Sequence, residues 1–338
     1  TTLIGARRFG STDAKIGFIL TDSRSLCFPE ETLFFALKSG RNDGHRYILE
    51  LYHRGVRNFV VTEVPANYAS DYPQANFLKV VDSLESLQRL AERHRDEFNI
   101  PIVGITGSNG KTMVKEWLNQ LLSDDLFVTR SPRSYNSQVG VPLSVWLLNE
   151  HSQVGVFEAG ISQPGEMLAL RDIIQPTIAV LTNLGDAHQE NFVSREAKCK
   201  EKLVLFHDAK IVVYNGDDSL ISDCVNALED FRGERLYWSC SDHNAPFFVK
   251  SIEKKATATT VTYIYKGIES WYSLPFIDDA SITNSFACAA VALTLGVSKD
   301  ALDERMLQLE PIAMRLEVKQ GQHGCTRIND SYNSDINS

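Results

Sequence analysis

The sequence has no closely spaced pair of cysteines. Cys27, Cys199, Cys224, Cys240, Cys288 and Cys325 are scattered, without a C-x-x-C spacing. That excludes a zinc ribbon or a disulfide framework and fits a reducing, cytoplasmic compartment. On residue type alone, these thiols are expected to be small buried apolar groups. No apolar run is long enough to span a bilayer and no leader pattern opens the chain, so no membrane partner is expected. There is no excess of positive charge: 34 basic against 43 acidic residues leave −9. A general nucleic-acid binder is therefore disfavoured, although a local basic cleft for an anion is not. Low-complexity tracts and internal repeats are missing too. What remains is ordinary for a globular chain of two or three domains: 338 residues, 43% hydrophobic and 23% charged. The chain opens without Met and stops in mid-pattern at Ser338, so a piece of a longer protein is expected.

One stretch organises the rest. Ile102 to Thr106 is an apolar run after Pro101, followed by Gly107-Ser108-Asn109-Gly110-Lys111-Thr112 and then Met113 to Leu118. The run reads as a buried strand and the residues after Lys111 as a helix start. Strand, Gly-rich turn, Gly-Lys-Thr and helix form the layout of a phosphate-binding loop. Gly107 and Gly110 allow the backbone to bend so that N–H groups face an anion, and the helix N-terminus adds its partial positive charge. Lys111 can reach the β- and γ-phosphates, and the Thr112 hydroxyl can ligate Mg²⁺. Ile105 stands where the strict pattern has its first Gly.

Before this loop, residues 56–61 and 77–81 read as strands and 47–54 and 83–98 as helices, the last with Leu84, Leu87, Leu90 and Ala91 on one face. This is a small α/β unit, assigned to residues 1–99. Thr21-Asp22-Ser23-Arg24 and Gly40-Arg41-Asn42-Asp43-Gly44-His45 stand out within it. Each has the donors to hold a phosphorylated or sugar-like ligand, and each is equally readable as a solvated turn.

Residues 100–312 alternate strand and helix, the pattern of a mostly parallel sheet flanked by helices. Strands are expected at 102–106, 126–129, 153–158, 177–182 and 210–214, and helices at 111–122, 139–148, 164–173, 195–206 and 218–229. Ligands of such sheets bind beyond the carboxyl ends of the strands, which draws attention to Glu158, to Asn183 through His188, and to Asn215 through Asp218. Glu158 can hold a metal ion beside the loop. His188 can serve as a ligand or a phosphate donor. The 195–206 helix carries Lys198, Lys200 and Lys202, which by themselves suggest a solvated charged face. Short alternating strands are expected over 247–252, 259–265 and 268–274, peripheral to the chemistry. A helix over 282–295 follows, with Asn284 near its start, either capping it or facing a nucleobase. Residues 313–338 read as a hairpin, 315–318 and 326–329, opening a further α/β domain that is cut short.

Taken together, the motifs resemble the Mur ligases, ATP-dependent amide-forming enzymes of peptidoglycan synthesis, over essentially the whole chain. Thr106 to Thr112 is similar to that family's own phosphate loop, and Asn183 to His188, with Glu190 and Phe192, to its Asn-x-x-x-x-His segment. Asp330-Ser331-Tyr332-Asn333 and Tyr135 to Leu143 resemble the MurF type within the family; Asp22-Ser23-Arg24 and Asp43-Gly44-His45 resemble motifs that hold the UDP-sugar end of the substrate. Met314 and Asn329 depart from the pattern, where Gly and an acid are usual. The resemblance implies joining of D-alanyl-D-alanine to UDP-N-acetylmuramoyl-tripeptide, with ATP and two Mg²⁺. It places Lys111 on the phosphates, Thr112 and Glu158 on one Mg²⁺, and His188 with a carbamylated Lys202 (Lys200 if the helix starts differently) on the other. It also places Thr106 to Thr112, Asn183, Asn284, Arg315 and Asp330 at the nucleotide, and Asn136 with the two N-terminal motifs at the substrate. Members followed by a C-terminal alanine racemase are a further implication. A monomer is expected, as is inactivity of the piece alone, and a MurE-type amino-acid-adding ligase is the alternative.

Overall fold

A computed structural model describes residues 1–10, 13–40, 42–187, 189–312, 317–320 and 326–329. The chain divides into two compact units, Thr1–Phe98 and the residues from Asn99 onward.

The first unit holds β1 (Arg7–Phe9), β2 (Phe18–Leu20), β3 (Thr32–Phe35), α1 (Ile48–His53), β4 (Asn58–Val61), α2 (Tyr68–Asp71), β5 (Asn76–Lys79) and α3 (Ser83–Arg95). The sheet order is β1-β5-β4-β3-β2, parallel except for the β1–β5 pair. All residues of β3 and β4 are buried, as expected of central parallel strands covered on both faces. Phe34, Phe59 and Phe77 fill the core, the last two stacked at 5.4 Å. Asp82 caps α3 by accepting from the Leu84 and Glu85 amides, and Leu87 and Ala91 bury its inner face. Strands β1, β2 and β3 were not expected; β1 and β2 span three residues each, too few to show a period.

The second unit begins with β6 (Ile102–Thr106), α4 (Lys111–Leu122), β7 (Val128–Arg130), α5 (Gly140–Val145), β8 (Val154–Glu158), α6 (Glu166–Ile174), β9 (Ile178–Leu181), α7 (Arg195–Leu203), β10 (Ile211–Asn215) and α8 (Ser219–Asn226). It continues through β11 (Glu234–Ser239), β12 (Phe247–Lys254), β13 (Thr259–Tyr265), β14 (Ile268–Leu274), α9 (Asp279–Thr294), α10 (Lys299–Leu307) and a hairpin, β15 (Glu317–Gln320) with β16 (Thr326–Asn329). The main sheet runs β14-β13-β12-β11-β10-β9-β6-β8-β7. It is parallel from β7 through β12, and β13 and β14 add antiparallel edge strands.

The sequence expectation is corrected at three places. The 247–274 strands continue the main sheet rather than leaving it, and β11, whose polar residues masked its pattern, joins them to β10. Helix α10 was missed because its apolar positions are few. Among the cysteines, Cys199, Cys224 and Cys288 are buried, whereas Cys27 and Cys240 are exposed.

Strand β6 lies between β8 and β9. From it the chain runs to β7 and β8 on one side and, after α6, to β9 and β10 on the other. This reversal opens a crevice at the carboxyl end of β6. On one face, Val103 and Ile105 pack with Val114, Trp117, Leu118 and Leu121 of α4 and with Phe286 and Ala290 of α9. On the other, Gly104 lies under Ile174 and Pro176, at the end of α6, where a Cβ would come within 2.9 Å of Pro176. Both faces are thus covered by helices. Among the described residues no helix is long and apolar enough to cross a membrane.

Candidate functional site

The turn between β6 and α4 is built on two glycines that no other residue replaces without strain. Gly107 has φ +142°, and a Cβ there would lie 1.9 Å from Thr182 Oγ1; Gly110 has φ +80°, and its Cβ would lie 2.5 Å from Asn284 Oδ1. Left-handed backbone and absent side chains bring the loop against its neighbours. The β9 end holds it from below: the Ser108 amide donates to Asn183 O (3.1 Å), the Asn109 amide to Asn183 Oδ1 (2.9 Å), and Ser108 Oγ to Gly185 O (3.1 Å). Thr182 Oγ1 donates to Thr106 O (3.3 Å) and to Asn109 O. Asn284 is buried behind the loop, its Nδ2 donating to Met113 Sδ at 3.3 Å. Lys111 folds back over the turn, Nζ donating to Gly107 O (2.7 Å) and Ser108 O (3.0 Å). This places an ammonium and a helix N-terminus at one small concavity, the arrangement that receives a polyphosphate.

Glu158, last residue of β8, is fully buried. Its Oε2 accepts from Thr112 Oγ1 (3.1 Å), which also lies 3.2 Å from Ser134 Oγ. Its Oε1 is 3.1 Å from Lys115 Nζ but has no aligned hydrogen bond. A hydroxyl and a carboxylate side by side at the loop form part of a hard-oxygen set that suits Mg²⁺. Among the described residues no three His, Cys, Asp or Glu side chains gather as a metal site.

The three lysines of α7 separate sharply. Lys200 is exposed and pairs with Glu196 at 2.6 Å. Lys198 is buried, with Nζ donating to Gly185 O at 2.6 Å. Lys202 is buried, with Nζ donating to Gly107 O at 3.2 Å, and it lines the same cleft as Lys111. Burial, and then the positive charges of Lys111 and Lys198, push the Lys202 ammonium well below its ordinary range. The expectation of a uniformly solvated face is therefore corrected for two of the three.

The cleft, about 490 Å³, is also lined by Asn136, Gln138, Gly160, Ser162 and Glu166. The Gly160 amide donates to Asn136 O (2.8 Å), and a Cβ on Gly160 would lie 2.8 Å from the Asn136 carboxamide. Glu166, at the start of α6, accepts from the Ser162 and Gln163 amides at 2.6 and 2.9 Å, and Gln138 Nε2 donates to Glu166 O at 2.9 Å. The sequence analysis did not single out Lys115, Ser134, Gln138, Glu166 or Thr182. Of these, only Glu166 carried a local signal, an acid directly after Gly165 at a helix start.

Elsewhere, Asn215 and Asp218 serve the turn after β10. Asn215 Oδ1 accepts from the Asp217 amide (2.9 Å), and Asp218 caps α8. In the first unit, Asp22 accepts from the Arg24 amide (3.0 Å) and guanidinium (2.6 Å). That guanidinium holds the Asp22 carboxyl down at about 2. Ser23 is buried, its carbonyl accepting from Arg54 at 2.8 Å. Asp43 accepts from the His45 amide (3.0 Å) and lies 2.6 Å from His45 Nδ1, while His45 Nε2 accepts from the Thr62 amide (3.1 Å). Gly44 lies where a Cβ would meet Ala36 at 2.8 Å. Both motifs are thus internally bonded turns. His188, Arg315 and Asp330 lie outside the described residues.

Comparison with known proteins follows the same lines. The Mur ligase middle domain matches residues 105–292. A Bacillus subtilis protein named UDP-N-acetylmuramoyl-tripeptide–D-alanyl-D-alanine ligase is 28% identical over 323 residues, covering 94% of this chain and 67% of its own. A MurF crystal structure from Acinetobacter baumannii superposes with a TM-score of 0.84 at 25% identity, covering 94% of this chain and 68% of that one. A Thermotoga maritima MurF ligase in complex with ADP gives 0.81 at 25%, covering 95% and 72%.

Proposed function

The chain belongs to the Mur ligase family, and from that premise we propose that it joins D-alanyl-D-alanine to UDP-N-acetylmuramoyl-tripeptide with ATP, in peptidoglycan precursor synthesis. The observation that carries the reading is that Lys111, Thr112 and Lys202 line one cleft at the phosphate loop, with the buried Glu158 carboxylate bonded to Thr112 behind it. The names of the relatives give the substrates, the ADP-bound relative supports nucleotide binding, and the loop's own geometry is the ground for placing the phosphates there. We take residues 313–338 as the start of a further domain and the first unit as the holder of the UDP end.

In the proposed reaction a carboxylate oxygen of the tripeptide attacks the γ-phosphorus and ADP departs. The dipeptide amine then attacks the acyl carbon, loses a proton, and phosphate leaves. Such chemistry needs alignment and charge neutralisation more than covalent help. Lys111 and the amides at the start of α4 take the phosphate charge, the Ser108 and Asn109 amides being committed to Asn183. Thr112 and Glu158 would hold Mg²⁺, which supplies further neutralisation of the phosphate oxygens. Lys202, kept towards the free amine by burial and two neighbouring ammonium groups, is suited to capture CO₂ as a carbamate; His188 would stand beside it. Asn183 and Asn284 set the loop that carries the nucleotide, with Arg315 and Asp330 assigned to its far end, and Asn136, which lines the cleft, is assigned to the substrate.

Phosphate release from ATP is the test, with UDP-N-acetylmuramoyl-tripeptide, with and without D-alanyl-D-alanine. Release that depends on the dipeptide and yields the pentapeptide precursor supports the reading. Release with a single amino acid and the dipeptide precursor would move the assignment to a MurE-type ligase.

A further inference from the structure

Lys115 has no place in the scheme above. It lies one helical turn after Lys111, is fully buried, and reaches four oxygens belonging to three parts of the fold. Its Nζ donates to Ser131 O (2.9 Å) and to Arg133 O, and stands 3.1 Å from Glu158 Oε1 and 2.9 Å from Glu116 Oε1.

An ammonium has three N–H bonds. Two are used on the carbonyls of the segment after β7, so the third is divided between two carboxylates. Glu158 thereby gains a compensating charge, which a fully buried carboxylate requires. Yet its Oε1 keeps a lone pair with no donor aligned on it. A tight, in-line pair would have occupied that lone pair.

The same contacts shape the loop. Arg133 is held at φ +49°, one of few non-glycine residues in the left-handed region, a conformation that persists only where surroundings enforce it. Lys115 grips its carbonyl. The next residue, Ser134, then reaches Thr112 Oγ1, and Ser131 Oγ accepts from the Glu158 amide at 3.2 Å.

We propose that Lys115 is a positioning residue: its buried ammonium balances Glu158 and clamps the Ser131–Ser134 turn, so that the Thr112 hydroxyl and the Glu158 carboxylate stand ready for a nucleotide-bound divalent cation. This rests on the reading that the loop takes a magnesium nucleotide.

The experiment is calorimetric binding of ADP to the full chain, with Mg²⁺ and with EDTA. The quantity read is the gain in affinity that Mg²⁺ confers. Lys115→Met removes the charge and the clamp. Lys115→Gln removes the charge but retains a donor for the carbonyls, so it is the milder change should K115M fail to fold. Both are expected to lower the Mg²⁺-dependent gain at least tenfold while affinity in EDTA stays within about threefold; K115Q, which leaves the buried Glu158 without its counter-charge, should melt below the parent while still folding. K115M in an E158Q background is expected to add little, since the group it serves is already altered. A full Mg²⁺-dependent gain in folded K115Q overturns the proposal, as does an equal fall in both conditions, which marks a merely structural lysine. A parent chain that binds no ADP, or binds it with no Mg²⁺ dependence, overturns the nucleotide reading instead.

Discussion

The two units treat their conspicuous polar residues in opposite ways. In the second, Lys111, Thr112 and Lys202 come from two helices far apart in sequence yet line one cleft of about 490 Å³, and Glu158, from a strand end, is bonded to Thr112 behind it. In the first, Asp22 with Arg24 and Asp43 with His45 satisfy one another within each turn. Sequence distance explains the contrast. Partners two residues apart can pair in almost any fold, and so reveal little about a ligand. Partners separated by dozens of residues meet only because the sheet topology brings them together, and the group they surround is then the informative one.

Breaking the second unit's cleft should give the largest effect. Lys111→Ala is expected to lower dipeptide-dependent phosphate release by at least about a hundredfold, the usual loss when one stabilising donor is removed from a developing charge. Circular dichroism should show the fold intact.

Gly107→Ala comes next. It places a Cβ on Thr182 and strains a backbone at φ +142°, so about 1–3 kcal/mol of stability should be lost. Affinity for ADP should fall at least tenfold, as read by calorimetry and thermal melting.

Lys202→Met is predicted to remove activity and raise stability. The ammonium is depressed by burial first and then by Lys111 and Lys198. Between its folded value and the ordinary 10.5, the unfolded chain binds more protons than the folded one, so the parent's stability rises with pH across that window. At pH 7 in CO₂-free buffer, K202M should melt about 2–4 °C higher than the parent, and the gap should close as pH approaches 10.5. A variant that melts lower at pH 7 would contradict this.

In the first unit, His45→Ala removes the ring contact of Asp43 and leaves the Thr62 amide without its acceptor. A loss of about 1–3 kcal/mol is expected, with ADP affinity unchanged. The smallest effect on stability is assigned to Arg24→Ala. Its side chain is 87% exposed, so any change should stay within about 0.5 kcal/mol. Binding of UDP-N-acetylmuramoyl-tripeptide is the sharper measurement. A tenfold loss would show that the internally bonded turn also serves a ligand; unchanged affinity would leave it a turn alone.

How much of this was legible beforehand varies by element. The loop from Thr106 to Thr112 was readable because its chemistry is local: two glycines for backbone shape, a lysine for charge, a helix start for the dipole. Strands β6, β8, β9 and β10 were readable because parallel strands covered on both faces are continuous apolar runs. Strands β1 and β2 span only three residues each, and β11 confines its apolar run to three residues, Leu236 to Trp238, between Glu234-Arg235 and Ser239.

The α7 lysines mark the boundary. Lys198, Lys200 and Lys202 are alike in type, and spacing alone suggested solvent. Resemblance pointed to Lys202, with Lys200 as alternative; packing places Lys202 Nζ on Gly107 O and Lys200 against Glu196 at the surface. By itself, the sequence determined the phosphate loop and the alternation that builds the sheet, because each depends on neighbours along the chain. Only the tertiary structure decided that Lys115 and Glu158 share a buried contact, that Thr182 and Asn284 fill the space left by two glycines, and that Asn215 and Asp218 serve a turn. Those outcomes depend on which strand ends lie side by side, and strand order is set by packing across the whole sheet.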